Sequence, residues 1–546
     1  MGEQEKKPAD KKPASFWRRS FPTFRYILYP PTEYILYLLT RRWFIYCICV
    51  FMILVCFDLT LAWWWRHIPV SYQTTRILGP LNPDGTVDYL AALNAKYSKG
   101  VTPDNNAVVD IWQAVGTKHF PYAILNESFP KSILQRYFQL LGVQIIPEPS
   151  KPFESFYNDY IQTNPSNNIY PDYDSIDKRV TSAPFTDEEF PNVAAWVKAQ
   201  HAARELYLTA AEKSYWYEPL FISSEPSFPV ISCLLPSINP LRMLTNLMQI
   251  DSMERLGRGD VSGAWADALA IHRMARLEMK TPVSFLGCAM IAISLEADAG
   301  SIDQQIVANG RLRADEVGDM LQDLQSLQEF LKYSELFNGE RYTLLDFLQG
   351  TARGPQLSGE YGIIEVDEPT KLILDLIPIH YAVVMSDVNQ YVDDVNKAFA
   401  SDTYLQAKAS LDALNPAAMV HGGLLHPLIK GWFVSFQPSY SPFLERYFES
   451  LAILPLTQTE FALAAWHADH GGYPAALAEL VPQYLTRVPI DPFDGQPLRY
   501  EQTNGGYKLS SIGYTQTNPN PNIDFENLEF TLHRDLEFTM PPAQQN

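Results

Sequence analysis

Cysteine and basic residues are both scarce in this chain of 546 residues. It has five cysteines, and 42 lysines and arginines stand against 62 aspartates and glutamates, which gives a formal net charge of −20. This acidic balance disfavours nucleic acid as a partner, because a phosphate backbone needs a basic face. Charged residues make up only 19% of the chain and aromatic residues 13%. That composition indicates folded structure rather than disorder.

The common catalytic sequence motifs are also missing. The chain contains no His-Glu-x-x-His, Gly-x-Ser-x-Gly, Cys-x-x-Cys or Walker-type loop. One tight cluster of metal-capable residues stands out, His467, Asp469 and His470, which could hold zinc if a fourth ligand came from elsewhere. Ordinary polar residues at a helix end are the alternative interpretation, which we favour. The sequence therefore predicts no catalytic residue, cofactor or metal, with this cluster as the candidate to check.

The cysteines predict free thiols. Cys47, Cys49 and Cys56 lie within one apolar run, where a thiol acts as a small apolar group. Cys233 and Cys288 lie outside that run and could pair in an oxidising compartment. Because Cys288 stands in an apolar helical run, FLGCAMIAI, we favour a buried free thiol there.

The apolar segment from Trp43 to Trp65 predicts a membrane-spanning helix. Its 23 residues would extend about 34 Å as a helix, enough to cross a hydrocarbon core of about 30 Å. Residues 1–42 carry nine lysines and arginines against four acidic residues. The positive-inside rule therefore places them in the cytoplasm and the rest of the chain outside it. A cleaved signal peptide is the alternative, but tryptophans 63–65 stand where a small-residue cleavage site would be.

Two further features accompany this segment. Asp58 lies inside the predicted span, where a carboxylate is costly; if it has a function, that function is pairing with a partner helix, but we favour the interpretation without one. A position near the lipid headgroups, or protonation, would explain Asp58 without a function. The stretch 26–40 is aromatic and apolar but is interrupted by Pro30 and Pro31. We therefore expect it to lie along the inner membrane surface.

Residues from Val70 to about Pro438 show mainly helical patterns. The clearest is a pair of helices joined at Gly257-Arg-Gly259-Asp260, with small residues in a stripe on the second helix. His272 lies on the apolar face of that second helix and is predicted to be a core histidine with satisfied hydrogen bonds. Residues 147–185 are rich in Pro, Tyr, Asn and Asp and predict a long surface excursion that could bind a ligand or glycan.

The last hundred residues change in character. A helix through FALAAWHADH is predicted to stop at Gly471, followed by strands at Leu498 to Glu501 and Tyr507 to Ile512 around an Asn-Gly-Gly turn. The run HADHGGYPAALAELVPQYLTRVPIDPFDGQPLRY…GYKLSSIG resembles the C-terminal globular part of type II secretion pseudopilins. The resemblance implies a rigid double turn before a small antiparallel sheet. Its motif residues are Tyr473, Pro474, Asp491, Pro492, Phe493, Gly495, Pro497 and Tyr500, with the three aromatic ones as the expected small core.

The middle of the chain carries a second resemblance. YLAALNAKYSKGVTPDNNAVVDIWQAVG and GRGDVSGAWADALAIHRMARL resemble segments of large, uncharacterised single-pass bacterial membrane proteins that end in the same pseudopilin-like module. This resemblance implies bacterial origin and a place in the envelope, and it carries no known activity.

Together these features predict a mainly α fold with one transmembrane helix. A large helical extracytoplasmic domain is expected over residues 66–440 and a small α+β module with an antiparallel sheet over 441–546. The predicted location is the bacterial inner membrane, with the N-terminus cytoplasmic and the bulk of the chain extracytoplasmic.

The function that we expect is protein–protein interaction or a scaffold role in an envelope or secretion-like assembly. The expected partners are the lipid bilayer and an envelope protein or a second copy of the chain, and not nucleic acid. Two alternatives stay open, an extracytoplasmic ligand- or glycan-binding protein and a metal-dependent envelope hydrolase.

Overall fold

A computed structural model of the chain describes residues 46, 48–53, 60, 67–120, 131–156, 169–222, 230, 233, 235–279, 286–309, 312–328, 337–353, 380–414, 440–513 and 537–540. The chain divides into two units, Met1–His67 with Asp367–His380, and Ile68–Val366 with Tyr381–Asn546. All the elements named below belong to the second unit.

Helices dominate the second unit, as the sequence predicts. In chain order they are α1 (Tyr89–Tyr97), α2 (Ala107–Val115), α3 (Lys131–Leu140), α4 (Ile169–Ser182), α5 (Pro191–Ala199), α6 (His201–Ala211), α7 (Ile238–Arg258), α8 (Val261–Met279), α9 (Leu286–Ala308), α10 (Ala314–Ser326), α11 (Asn338–Ala352), α12 (Tyr381–Phe399), α13 (Tyr404–Ala413) and α14 (Tyr440–His470).

The helices α7, α8 and α9 form the centre of the unit, where α8 packs against both of the others. Their turn follows the predicted Gly-Asp signal. Gly259 takes a left-handed φ of +82° after the last residue of α7, and the Asp260 amide then bonds to the Arg255 carbonyl at 2.8 Å. Ala264 and Ala268 on α8 are fully buried, so small side chains let the helix backbones approach closely.

The structure corrects the prediction of a transmembrane helix. Among the described residues, no helix is both long enough and apolar enough to cross a membrane. Of the segment 43–65, the structure describes only residues 46, 48–53 and 60, and Asp58 lies outside the described residues. The long helices that it does describe carry internal charges: α9 alone holds Glu296, Asp298 and Asp303, all buried. The structure therefore corrects the single-pass fold class and the inner-membrane location that was built on it.

Two segments differ from their predicted local structure. Part of the expected excursion at 147–185 is helical, since α4 occupies Ile169–Ser182; residues 157–168 lie outside the described residues. Pro455 favours a break or a kink in the last long helix, but α14 continues through it. The lost N–H bond is outweighed by packing, because Ile453, Leu456 and Thr457 around it are buried and α14 contacts α9 and α10.

A small antiparallel sheet follows α14, in the order β1-β2-β3. Its strands are β1 (Arg499–Thr503), β2 (Gly506–Ser510) and β3 (Glu537–Met540). The hairpin between β1 and β2 lies within two residues of its predicted position, with Gly505 at a φ of +85° in the turn. The alternating stretch from Leu528 to His533 lies outside the described residues.

Asp491 organises the predicted double turn before β1. Its fully buried carboxylate accepts bonds from the Phe493 amide (3.0 Å), the Ser511 hydroxyl (2.8 Å) and the Ile512 amide (2.8 Å), and it pairs with Arg499 at 2.9 Å. Gly495 supplies the positive φ that the turn needs, +75°. Pro492 and the exposed Pro497 lie in the same turn, and the carbonyl of the buried Pro474 accepts a 2.6 Å hydrogen bond from the Tyr500 hydroxyl.

The sequence predicts that the three aromatic motif residues form one small core, but the structure separates them. Phe493 is fully buried, but it packs against Tyr404 of α13 and Phe448 of α14. Tyr473 and Tyr500 are half-buried and flank the fully buried Tyr507 of β2. The motif therefore joins the sheet to the helical part as well as shaping the turn.

Candidate functional site

The predicted metal candidates at the end of α14 have separate partners. The His470 ring stacks on Trp466 with 4.1 Å between centroids, and its Nδ1 lies 3.0 Å from the Trp466 carbonyl oxygen. The His467 ring lies 4.7 Å from Tyr473, and Asp469 accepts a 2.5 Å bond from the Tyr484 hydroxyl. Within the described part of the chain, no group of three or more His, Cys, Asp or Glu side chains is placed to hold a metal ion.

The cysteines are free thiols where the structure describes them. Cys288 is buried and Cys233 is half-buried, and neither forms a disulfide. Burial raises the pKa of both thiols, that of Cys233 to about 12. A thiol with so high a pKa is a poor nucleophile at neutral pH, so the structure gives neither cysteine a catalytic role.

A charged cleft of about 480 Å³ opens between α5, the start of α6 and the second half of α7. We call it the α5–α7 cleft. It is lined by Asp187, Ala194, Val197, Lys198, His201, Arg204, Leu247, Asp251, Glu254, Arg255, Arg258 and Asp260. Three aliphatic side chains form a short apolar strip among groups of both charges.

A network of arginines and aspartates fixes one wall of this cleft. Arg204 of α6 places Nε 2.6 Å from Asp251 and Nη2 2.6 Å from Asp267. Arg255 of α7 lies 2.8 Å from the same Asp251 and 2.6 Å from Asp260. Burial raises the pKa of Asp267, and the neighbouring Asp251 raises it further. The network ties α6, α7 and α8 together before any ligand arrives.

Gly257 lets the chain segment at Phe185 cross closely over α7, next to the cleft. A Cβ atom at this position would come within 1.7 Å of the Phe185 carbonyl oxygen, so only glycine lets this chain segment cross α7. The Phe185 amide also donates to the Met253 carbonyl at 3.3 Å. The crossing places Asp187 in the lining of the cleft with Glu254, and Asp187 raises the pKa of Glu254.

Two cations of the cleft differ in their partners. Arg258 lies 3.1 Å from Glu254, four residues earlier on α7, and its side chain is 47% exposed. Lys198, at the end of α5, is exposed and forms no ion pair with any residue that the structure describes. The cleft therefore contains Arg258, a half-exposed cation with a carboxylate partner, and Lys198, an exposed cation with no ion-pair partner among the described residues.

Comparison of the chain with family models, with curated proteins and with solved structures finds no match in any of the three. The α5–α7 cleft is therefore supported by its geometry alone, and the pseudopilin resemblance stays a prediction.

A second charged cluster lies fully inside the molecule between α8 and α9. His272 places Nδ1 2.9 Å from Glu296 and Nε2 2.9 Å from Asp303, and Arg276 lies 2.7 Å from the same Glu296. Burial opposes the imidazolium charge, but the two carboxylates raise the pKa of His272 to about 9. His272 is thus the core histidine that the sequence predicts. Sealed from solvent, the cluster is structural.

The sequence did not indicate the α5–α7 cleft. Asp187 belongs to a Thr-Asp-Glu-Glu run that looks like a capping box, yet α5 begins only at Pro191 after an uncapped Phe190. Glu254 and Arg258 have the spacing of an ordinary surface ion pair on a helix. No regular spacing joins residues 187, 198 and 254, so only the packing of α5 on α7 brings them together.

Proposed function

We propose that the protein binds a charged segment of another polypeptide in the α5–α7 cleft. The observation that carries this proposal is a cleft whose wall is rigid, because Arg204 and Arg255 are each held by two or more carboxylates, while the exposed Lys198 forms no ion pair with any residue that the structure describes. Preorganised polar groups around a small apolar strip are typical of ligand sites. The expected role in protein–protein interaction or a scaffold, and the resemblance to pseudopilins, are in line with this proposal.

The lining favours a peptide over a glycan. It contains no Trp, Tyr or Phe on which a sugar ring could stack, whereas Ala194, Val197 and Leu247 offer a strip for an aliphatic side chain. A hydrolase acting through His467, Asp469 and His470 has no support, because these side chains have separate partners.

Titration calorimetry with short capped peptides tests the proposal. The probes are a Glu-Leu-Leu-Glu, a Lys-Leu-Leu-Lys and a Ser-Leu-Leu-Ser peptide, each acetylated and amidated and titrated into the full chain. We expect one charged peptide to bind at least about tenfold more tightly than the uncharged one, a difference of about 1.4 kcal/mol.

Hydrogen exchange then locates the bound peptide. Protection is expected at the end of α5 and in the second half of α7. Equal affinity for all three peptides, or protection confined to another part of the chain, would overturn the proposal.

A further inference from the structure

Glu254 and Asp187 both line the α5–α7 cleft. Burial raises the pKa of Glu254 to about 7; Arg258 opposes this rise, whereas Asp187 and Asp251 add to it. The Glu254 side chain is 6% exposed, so its charge depends strongly on these neighbours.

The charged groups that face Glu254 come from every element around the cleft. The segment before α5 supplies Asp187, α5 supplies Lys198, α6 supplies His201 and Arg204, α7 supplies Asp251, Arg255 and Arg258, and Asp260 follows α7. Arg204 and Arg255 form ion pairs with buried aspartates, Arg204 with Asp251 and Asp267 and Arg255 with Asp251. Arg258 pairs with Glu254 at 3.1 Å.

Arg258 is therefore the cation that a ligand can take over. When Glu254 gains a proton, it loses the charge that attracts Arg258, and this guanidinium can turn to an anion in the cleft. Lys198 is already available on the facing helix. A ligand carboxylate in the cleft could then pair with two cations, Arg258 of α7 and Lys198 of α5.

We propose that the bound segment is acidic and presents a carboxylate to Lys198 and Arg258, and that its binding makes Glu254 take up a proton. This inference rests on the proposed peptide-binding function and names its ligand class. A basic segment would have the opposite effect: its cation would stabilise ionised Glu254 and release a proton. The direction of proton transfer therefore distinguishes the two ligand classes.

Calorimetry in two buffers of different ionisation enthalpy measures this proton. With the capped Glu-Leu-Leu-Glu peptide and the full chain at pH 7, we expect an uptake of up to about half a proton per binding event, because a group with a pKa of about 7 is half protonated at that pH. Affinity should fall as the pH rises through about 7. Preferred binding of the basic peptide in the cleft, or proton release, would overturn this inference while leaving the proposed function intact.

Three variants sharpen the test. Glu254→Gln should bind the acidic peptide without proton uptake and with an affinity independent of pH between about 6 and 8. Lys198→Glu should weaken binding at least about tenfold, whereas Lys397→Glu, an equal charge change on the exposed face of α12, should leave it unchanged. Unaltered uptake in Glu254→Gln, or equal losses in both lysine variants, would contradict the inference. The pH dependence of the wild-type chain decides the matter if a variant does not fold.

Discussion

His272 stabilises the fold by holding two carboxylates in a place where water cannot reach them. Both ring nitrogens lie 2.9 Å from carboxylate oxygens, so both must donate and the ring is positively charged. With Arg276, the cluster contains two cations and two anions and is neutral as a whole. The charged groups of this cluster find their partners only when α8 and α9 pack in this register.

Removing the His272 side chain should destabilise the folded chain. We expect His272→Ala to lower the free energy of unfolding by about 3–5 kcal/mol, because Glu296 and Asp303 stay buried without their cation. His201→Ala, at a side chain that is 67% exposed, should change stability by less than about 0.5 kcal/mol. Urea unfolding measures both.

The same histidine predicts a dependence on pH. Its pKa is raised to about 9 in the folded chain from an ordinary value near 6.5. The folded state thus binds more protons between these values, so the stabilisation is complete below about pH 6.5 and is lost as the pH rises through about 9. Urea midpoints of wild type and His272→Ala should converge over this range; an unchanged gap at about pH 10 would contradict the role of the imidazolium.

At the scale of elements, Gly257 decides how the segment before α5 crosses α7. We expect Gly257→Ala to destabilise the chain by at least about 1 kcal/mol, because the new Cβ would lie 1.7 Å from the Phe185 carbonyl oxygen. The same change at Gly318, in the middle of α10 with nothing within 4 Å, should stabilise it by about 0.4–1 kcal/mol through helix propensity.

Thermal unfolding of the two glycine variants checks this prediction, since they differ only in position. Gly257→Ala should also weaken peptide binding, because the clash with the Phe185 backbone would distort the cleft. A stabilised Gly257→Ala with full peptide affinity would show that the crossing is not held by this contact.

At the scale of the whole molecule, the interior holds carboxyl groups that prefer to stay protonated. Burial raises the pKa of Glu218, Asp298, Glu340 and Asp346 to about 7 each. Several accept hydrogen bonds, as Glu218 does from Tyr137 at 2.9 Å and Asp346 from the Val230 amide at 3.0 Å. These bonds reduce the cost of burial but do not cancel it.

These groups predict that the folded chain loses stability between about pH 4.5 and 7. In this window the folded state keeps protons that the unfolded chain releases, so stability is greatest below the unfolded pKa and falls as the pH rises through the folded pKa. Urea midpoints between about pH 4 and 8 measure the slope, and Glu340→Gln should flatten it. A slope that is unchanged in Glu340→Gln would show that this carboxyl is not among its sources.

The sequence by itself determined the elements whose signals are local. The helices around Gly257 to Asp260, the core position of His272, the free thiol of Cys288 and the β1–β2 hairpin all follow from periodicity, turn residues and apolar neighbours. Local signals failed in two places: Pro455 stays inside α14 because its neighbours are buried, although proline disfavours a helix interior, and apolar length alone predicted a transmembrane helix that the described part of the chain does not contain.

Only the tertiary structure decided the α5–α7 cleft and the interior ion clusters. Lys198 lies 11 residues after Asp187 in the sequence and Glu254 a further 56 residues on, and a close crossing at Gly257 and the packing of α5 on α7 bring them to one cleft. Likewise, Glu296 and Asp303 become partners of His272 only when α9 packs on α8. Charges acquire a function or a structural role through neighbours distant in sequence, because electrostatic interactions and burial depend on spatial distance and not on separation along the chain.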